Sequence, residues 1–227
     1  MPYLVLLVLI LAAIYLPNFW AQHTFRRYAG ERDDIPGSGG QLARHLLDRF
    51  EMGEVKVETT EAGDHYDPQA RVVRLSPDNF NGRSLTAIAV AAHEVGHAIQ
   101  HHRGERLLAL RTQLVGKANA AQKLGAGILM AAPVLMLVSR SPWIGLLMLA
   151  AGLLSMGAAT VVHLVTLPVE MDASFGKALP ILTRGGYVRE RDRPAVRRIL
   201  RAAALTYVAA SLASLLNIAR WIALFRR

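Results

Sequence analysis

The sequence contains no cysteine in its 227 residues. Disulfide bonds and thiolate ligands are therefore excluded, and any bound metal must be held by histidine or carboxylate side chains. Acidic residues are few as well, 17 against 26 lysines and arginines, which gives a formal net charge of +9. No nucleic-acid-binding motif accompanies this charge, and the arginines lie beside apolar runs. A nucleic-acid partner is therefore not expected.

Charge is also absent from long stretches of the chain. Hydrophobic residues make up 52% of the sequence, and the segments without a charged residue include 1–21, 124–139, 141–169 and 202–219. A helix of about 20 apolar residues crosses a hydrocarbon core of roughly 30 Å. The pattern predicts a mainly α-helical integral membrane protein with a bundle of about four transmembrane spans. The last segment either crosses the bilayer or lies in its interface.

The first apolar segment lacks the positively charged start of a signal peptide. Its end has an aromatic edge with Phe19 and Trp20 in place of a small-residue cleavage site. We therefore expect an uncleaved anchor at 1–21. Arg26 and Arg27 follow directly, which places the next part of the chain on the cytoplasmic side.

The pattern HEVGH, residues 93–97, lies in an otherwise apolar stretch that predicts a helix. On a helix His93 and His97 are one turn apart, so both imidazoles can bind one side of a single zinc ion, with Glu94 between them. A buried face with these side chains is costly unless a metal satisfies them. The pattern predicts one zinc ion per chain, with Glu94 as general base. The small alanine, valine and glycine residues nearby would let another element pack close to the metal.

The third ligand is not part of this motif. A subclass with a third histidine six residues later is excluded, because that position is Arg103. A distant carboxylate is the better candidate, and the acidic residues after Glu105 are Glu170, Asp172, Glu190 and Asp192. Glu170 follows directly on a long apolar run, where metal ligation would explain a carboxylate. His163, two helical turns earlier, is a rival ligand, but a buried position with a hydrogen bond to a neighbouring helix is the favoured interpretation of this residue.

The charged stretch between the apolar segments predicts a small α+β unit. Residues 41–50 have the spacing of a helix capped by Ser38, and Ser84 is the predicted N-cap of the motif helix. Apolar and polar residues alternate over 55–59, which is typical of a strand, and 71–75 is its predicted hairpin partner. We expect 71–75 to be an edge strand that could receive a substrate backbone.

The sequence therefore divides into five predicted parts. They are a transmembrane anchor at 1–21, a cytoplasmic unit with the HEVGH helix at 22–117, a transmembrane hairpin at 118–169, a cytoplasmic segment with the third zinc ligand at 170–201, and a transmembrane or interfacial helix at 202–227. Two crossings separate His97 from Glu170, so both would face the same side. The arginines after Glu170 indicate the cytoplasmic side.

Five segments carry a family resemblance. They are 64–68 (DHYDP), 81–84 (NGRS), 91–100 (AAHEVGHAIQ), 164–170 (LVTLPVE) and 202–210 (AAALTYVAA). Together they resemble the YugP-like neutral zinc metallopeptidases of bacterial membranes, over nearly the whole chain. The resemblance implies a membrane-bound zinc peptidase in which His93 and His97 are ligands and Glu94 is the catalytic base.

More distantly, the order of the motif, two hydrophobic segments and Glu170 resembles the heat-shock membrane metalloproteases. Their glutamate is followed four residues later by an aspartate, whereas this chain has Ser174 there. An orienting role of that aspartate therefore cannot be carried over. Tyr207, in one of the matching segments, could donate a hydrogen bond to a developing oxyanion or simply pack in the helical bundle.

We therefore expect a zinc metalloendopeptidase with a small zincin-like cytoplasmic unit at the bacterial cytoplasmic membrane. The predicted catalytic residues are Glu94 and Tyr207, and the predicted metal ligands are His93, His97 and Glu170. The expected partners are the lipid bilayer and a polypeptide substrate, which could be a segment of a membrane protein.

The alternative is a non-catalytic membrane adaptor or chaperone-like protein with a structural zinc. A structural site would take a fourth protein ligand, such as His65, His101 or Asp172, whereas a catalytic site leaves that position open to water. His65 and Asp67 could approach the metal site or could shape a turn.

Overall fold

The structure is a computed structural model that describes the backbone of residues 2–206. Within the long helices, the side chains at 2–11, at 13–14 and at a number of positions between 119 and 165, His163 among them, lie outside this description. Tyr207 and nearly all of the predicted C-terminal helix at 202–227 lie outside it as well.

The described chain is mostly helical, with one small sheet. Its elements are α1 (Pro2–Arg27), α2 (Gly39–Arg49), β1 (Lys56–Thr59), β2 (His65–Asp67), β3 (Val72–Leu75), α3 (Pro77–Asn81), α4 (Leu85–His102), α5 (Arg106–Ser139), α6 (Pro142–Met171), α7 (Leu179–Arg184) and α8 (193–206). A π-helical segment, Asp172–Ala178, joins α6 to α7 without interruption, and a 3₁₀ turn, Glu190–Asp192, precedes α8.

The chain divides into two compact units. Within the described residues, one unit consists of 2–16 and 110–166, and the other of 17–109 and 167–206. In the first unit, α5 and α6 are joined by a short turn at Arg140, which has a positive φ of 51°. Gly145 of α6 lies against the side chain of Met136, where a β-carbon would collide. The two helices are therefore in direct contact near the turn.

The expected transmembrane bundle is wrong. Among the residues that the structure describes, no helix is both long enough and apolar enough to cross a membrane. The reason is clearest in α5, whose uncharged run 124–139 extends over about 24 Å, less than a hydrocarbon core of roughly 30 Å. The expected bundle of about four spans is corrected on this finding. The division into five parts stays a prediction, and nearly all of 202–227 lies outside the described residues.

In the second unit, α2 packs so closely against α4 that the backbones of the two helices are in contact. Ser38 caps α2 as predicted: its hydroxyl accepts a hydrogen bond from the Gln41 N–H at 3.3 Å, and the Gln41 side chain accepts one from the Ser38 N–H at 2.9 Å. Gly39 makes the close approach possible, because a β-carbon there would lie 2.7 Å from the carbonyl oxygen of Ala87 in α4. Leu46, on the inner face of α2, is fully buried.

The sheet has the strand order β1-β3-β2, with β1 parallel and β2 antiparallel to β3. The predicted hairpin between 55–59 and 71–75 is therefore wrong, because these strands run in the same direction and β2 forms the hairpin with β3. The predicted edge strand is wrong too, since 71–75 is central. The sequence analysis missed β2, which has only three residues and no alternation long enough to indicate a strand.

Helix α4 is the centre of the second unit, and all of its residues from Leu85 to Gln100 are buried. Its N-cap is Ser84, as predicted, with the Ser84 hydroxyl accepting a hydrogen bond from the Ala87 N–H at 3.1 Å. The helix ends at His102, and Gly104 turns the chain away with a φ of 62°. A helix that is apolar around its whole circumference must be covered on all sides, which places any polar side chain on it in an enclosed environment.

Candidate metal centre

Helix α4 carries three buried ionisable side chains in one turn. The exposed fraction is 3% for His93, 6% for Glu94 and 3% for His97. The two imidazoles are arranged edge to face, with ring centroids 4.8 Å apart and planes inclined at 78°. This arrangement follows from the four-residue spacing, which stacks side chains on one face of a helix.

Glu170, at the end of α6, reaches both imidazoles. Its Oε2 lies 3.3 Å from His93 Nε2 and 3.2 Å from His97 Nε2, and its side chain is fully buried. The three atoms that these residues offer lie within 4.8 Å of one another. A carboxylate that is 73 positions away from His97 in sequence is thus brought to the same point as the two ring nitrogens.

Close backbone packing between α4 and the π-helical segment brings Glu170 there. A β-carbon at Gly96 would lie 2.8 Å from the carbonyl oxygen of Ala173, a distance that real β-carbons essentially never show. A residue with no side chain is therefore needed at position 96 for this contact. The π-helical segment begins two residues after Glu170, and such segments are frequent at functional sites.

The outer nitrogen of His97 contacts a buried amide. His97 Nδ1 lies 2.9 Å from Gln100 Oε1, while Gln100 Nε2 donates to the Val169 carbonyl at 3.0 Å and to Asp172 Oδ2 at 2.7 Å. Both groups that contact Gln100 Nε2 are hydrogen-bond acceptors, so this atom is the amide nitrogen. The atom that contacts the His97 ring is therefore the amide oxygen. His97 Nδ1 must then carry a hydrogen, and in the neutral ring the lone pair is on Nε2, the nitrogen that faces Glu170.

Asp172 connects this amide to a pair of charged residues. Lys177 Nζ lies 2.6 Å from Asp172 Oδ2 and 3.0 Å from Glu105 Oε1. Burial opposes the ionisation of Asp172, but hydrogen bonds from Lys177 and Gln100 hold its pKa below the usual range. Burial likewise opposes the charge on Lys177, but its hydrogen bonds to Asp172 and Glu105 raise its pKa. Both groups are therefore charged at neutral pH.

The outer nitrogen of His93 contacts a hydroxyl instead. Ser174 Oγ lies 2.9 Å from His93 Nδ1 and donates a hydrogen bond to the carbonyl oxygen of Leu200 in α8, also at 2.9 Å. Ser174 is fully buried, as is Leu200. Each imidazole thus has a protein contact on Nδ1 and turns Nε2 toward Glu170.

The donor set matches the requirements of zinc. Two imidazole nitrogens and one carboxylate oxygen are ligands that zinc takes in catalytic sites. In the neutral form of His97, the Nε2 lone pair faces the carboxyl group of Glu170, and a cation between the two groups would satisfy both. Among the described residues, no fourth histidine or carboxylate joins the group. His93, His97 and Glu170 could therefore hold a metal ion and leave one position open.

The other candidate ligands lie elsewhere. His65 Nδ1 is 2.8 Å from the Gly63 carbonyl, and Asp67 accepts hydrogen bonds from the backbone of the turn after β2 and from Arg74. These contacts fit the turn-shaping alternative. His101 Nδ1 lies 2.7 Å from the hydroxyl of Tyr66 in β2. Burial raises the pKa of Tyr66 to about 12, so this hydroxyl keeps its proton at neutral pH.

The sequence analysis missed the residues around the ligands. Gln100 has no assigned role in the sequence analysis, although its position three residues after His97 places it on the same helical face. Ser174 was set aside because it differs from an aspartate, although its spacing of four residues from Glu170 indicated the same face. No signal in the sequence indicated Lys177, since its contacts depend on the turn at Gly104 and on the π-helical segment.

A buried helix with two histidines and a glutamate, joined by a distant carboxylate, has the layout of a zinc metallopeptidase site. Residues 3–226 match the model of a family described as "Putative neutral zinc metallopeptidase". A relative from Bacillus subtilis (strain 168), named "Putative membrane protease YugP", is 39% identical over 227 residues, which cover 96% of this chain and 95% of the relative. No solved structure matches. The chain therefore belongs to this family of putative neutral zinc metallopeptidases, and the resemblance seen in the sequence is confirmed.

Proposed function

We propose that this protein hydrolyses peptide bonds at a zinc ion held by His93, His97 and Glu170, with Glu94 as the general base. The observation that carries the proposal is the convergence of two imidazole Nε2 atoms and Glu170 Oε2 at one buried point. This donor set corresponds to a gluzincin-type site, in which the third ligand is a glutamate far from the motif.

Bound zinc would polarise the scissile carbonyl and lower the pKa of water at the site. Glu94 then takes a proton from the attacking water and delivers it to the amine of the leaving group. Its place on α4, directly after His93 and three residues before His97, holds the carboxylate beside the ligands. Burial of Glu94 excludes most bulk water from this proton transfer.

The number of ligands favours catalysis over a structural role. A structural zinc is enclosed by four protein ligands, whereas a catalytic one keeps a position for water or substrate. Three candidate ligands converge here within the described part of the chain. The three residues that could complete a closed site have other contacts: His65 with the Gly63 carbonyl, His101 with the Tyr66 hydroxyl, and Asp172 with Gln100 and Lys177.

We propose that the polypeptide substrate lies along β2 rather than along the central strand β3. Strand β2 is last in the order β1-β3-β2, so it offers an outer edge to which a peptide could add as a further strand. The hydrogen bond between Tyr66 and His101 ties this strand to α4, one helical turn beyond His97. A substrate backbone on β2 would therefore pass near the ligands.

We also propose that the protein acts at the cytoplasmic face of a membrane. A relative that is 39% identical carries the name of a membrane protease. The arginines of 184–201 would be attracted to the anionic lipids of the cytoplasmic leaflet. Loops of membrane proteins or unfolded segments near the surface would then be the substrates. Tyr207 stays a proposed oxyanion donor on the family resemblance alone.

The substitution Glu94→Gln tests the function, with a disordered polypeptide such as casein as substrate. We expect zinc binding to persist and the cleavage rate to fall by about 10²-fold or more. The exposed Glu61 provides a matched control, and Glu61→Gln should cleave at the wild-type rate. Cleavage that is unchanged in Glu94→Gln would exclude the proposed mechanism.

A further inference from the structure

The hydroxyl of Ser174 lies between a candidate metal ligand and the backbone of another helix. Its oxygen is 2.9 Å from His93 Nδ1 and 2.9 Å from the carbonyl oxygen of Leu200. Ser174 and Leu200 are fully buried, and His93 is 3% exposed. Water therefore cannot take over either contact without a rearrangement of the core.

The chemistry of the three groups fixes the direction of both hydrogen bonds. A carbonyl oxygen can only accept, so the single hydrogen of the Ser174 hydroxyl goes to Leu200. The serine oxygen can then only accept from His93, and His93 Nδ1 must carry a hydrogen. The lone pair of the neutral ring is consequently on Nε2, the nitrogen that is 3.3 Å from Glu170.

We propose that Ser174 is a positioning residue, which holds His93 in the tautomer and ring orientation that a metal requires, with Leu200 of α8 as its anchor. This inference rests on the proposed function only in taking His93 as a metal ligand. It makes the backbone of α8 a support of the metal centre, although no side chain of α8 belongs to the donor set.

A serine hydroxyl can accept a hydrogen bond from His93 and donate one to the Leu200 carbonyl at the same time. A carboxylate could accept from His93 but could not donate to Leu200, and its charge would face the carbonyl dipole inside the core. An alanine would leave His93 Nδ1 and the Leu200 carbonyl without this partner in a buried place, which is unfavourable for both. The ring could then rotate or change its tautomer.

The imidazole rings of His93 and His97 are positioned by different kinds of hydrogen-bond partner. Gln100, which contacts His97, also contacts Asp172 and through it the charged Lys177. The support of His93 contains no charge, because it consists of a hydroxyl and a backbone carbonyl. High salt should therefore leave the contribution of Ser174 to zinc affinity unchanged, since screening acts on charges.

The test is the zinc affinity of Ser174→Ala, measured by competition with a chelator at low and high salt. We expect a loss of about 10- to 100-fold, equal at both salt concentrations, and a changed absorption spectrum of the cobalt-substituted protein. Thr183→Val is the matched control, because the Thr183 hydroxyl bonds only the carbonyls of Leu179 and Pro180. It should bind zinc as the wild type does.

Wild-type zinc affinity and an unchanged cobalt spectrum in Ser174→Ala would overturn the inference. If that variant fails to fold, nitrogen NMR of the zinc-loaded wild type decides: a proton on His93 Nδ1 supports the inference, and zinc on Nδ1 overturns it. The proposed function fails separately. Cleavage retained in Glu94→Gln would exclude the proposed function. A loss of zinc affinity in Ser174→Ala would still support the positioning role of Ser174.

Discussion

Gly96 faces the carbonyl oxygen of Ala173 so closely that a β-carbon at position 96 would lie 2.8 Å from that oxygen. This contact lies between the two histidines on α4 and the segment that follows Glu170. The absence of a side chain at Gly96 therefore lets α4, which carries the two histidines, lie close to the segment that follows Glu170.

Replacing Gly96 by alanine should weaken zinc binding and lower the stability of the fold. Alanine is favoured over glycine inside a helix by about 1 kcal/mol, so an unconstrained position would show a gain. Here the β-carbon must push the π-helical segment away, and small misplacements in such sites are costly. Zinc affinity and thermal unfolding measure the effect. Gly116→Ala, inside helix α5, is the control, since nothing lies within 4 Å of a β-carbon there. Equal behaviour of the two variants would contradict the account.

Lys177 joins Asp172 and Glu105 in a partly buried group of three charges. We expect Lys177→Met to lower the free energy of unfolding by about 1 kcal/mol or more, because two carboxylates lose their cation. Zinc affinity should fall as well, since Asp172 also holds Gln100 against His97. Chemical denaturation and chelator competition check both effects. The exposed Lys56 supplies the control Lys56→Met; an affinity unchanged in both variants would show that the charges do not support the metal centre.

Arg32 binds Asp192 with two hydrogen bonds, of 2.8 and 2.9 Å, and also bonds Asp34. Hydrogen bonds from Arg32 lower the pKa of both carboxyls below their ordinary value of 3.8. A lowered folded-state pKa contributes stability above the unfolded-state pKa, and this contribution is lost as the pH falls through the folded-state value.

The stability conferred by Arg32 should therefore be complete at neutral pH and should vanish in strong acid. Unfolding of the wild type and Arg32→Gln, measured from pH 7 down to about pH 2, tests this. The difference in the free energy of unfolding between wild type and Arg32→Gln should shrink as the pH falls below 3.8. Arg103→Gln, at the exposed end of α4, serves as control. A difference that stays constant over this range would disprove the assignment.

Tyr66 and His101 provide a test of where the substrate lies. Tyr66→Phe removes only the hydroxyl that bonds His101, so zinc affinity should stay at the wild-type value. If a peptide adds to β2, loosening this strand should raise KM more than it lowers kcat. Steady-state cleavage kinetics give the answer, with Tyr28→Phe as control because Tyr28 bonds Arg198 instead. An equal KM in all three proteins would place the substrate elsewhere.

Local features of the fold could be predicted from the sequence, because their causes lie within a few residues. The caps at Ser38 and Ser84 follow from hydroxyls placed just before helical patterns. The position of the buried helix α4 follows from its apolar run around residues 93–97. In these cases, propensity and periodicity act in the same direction as the tertiary structure.

Long-range features could not be predicted in the same way. The parallel pairing of β1 with β3 depends on β2, whose three residues leave no periodic signal. The expected transmembrane spans rested on the absence of charged residues, but the uncharged run 124–139 in α5 is shorter than a hydrocarbon core. The four-residue spacing of Ser174 from Glu170 indicates a shared helical face, but no residue pattern indicates the π-helical segment that contains Ser174 and contacts His93.

Anomalous diffraction at the zinc edge, from crystals of the zinc-loaded protein, tests the central claim most directly. The account predicts one peak per chain, within bonding distance of His93 Nε2, His97 Nε2 and a carboxylate oxygen of Glu170, at about 2.0–2.2 Å. A peak at other side chains, or one with a fourth protein ligand that closes the site, would contradict it.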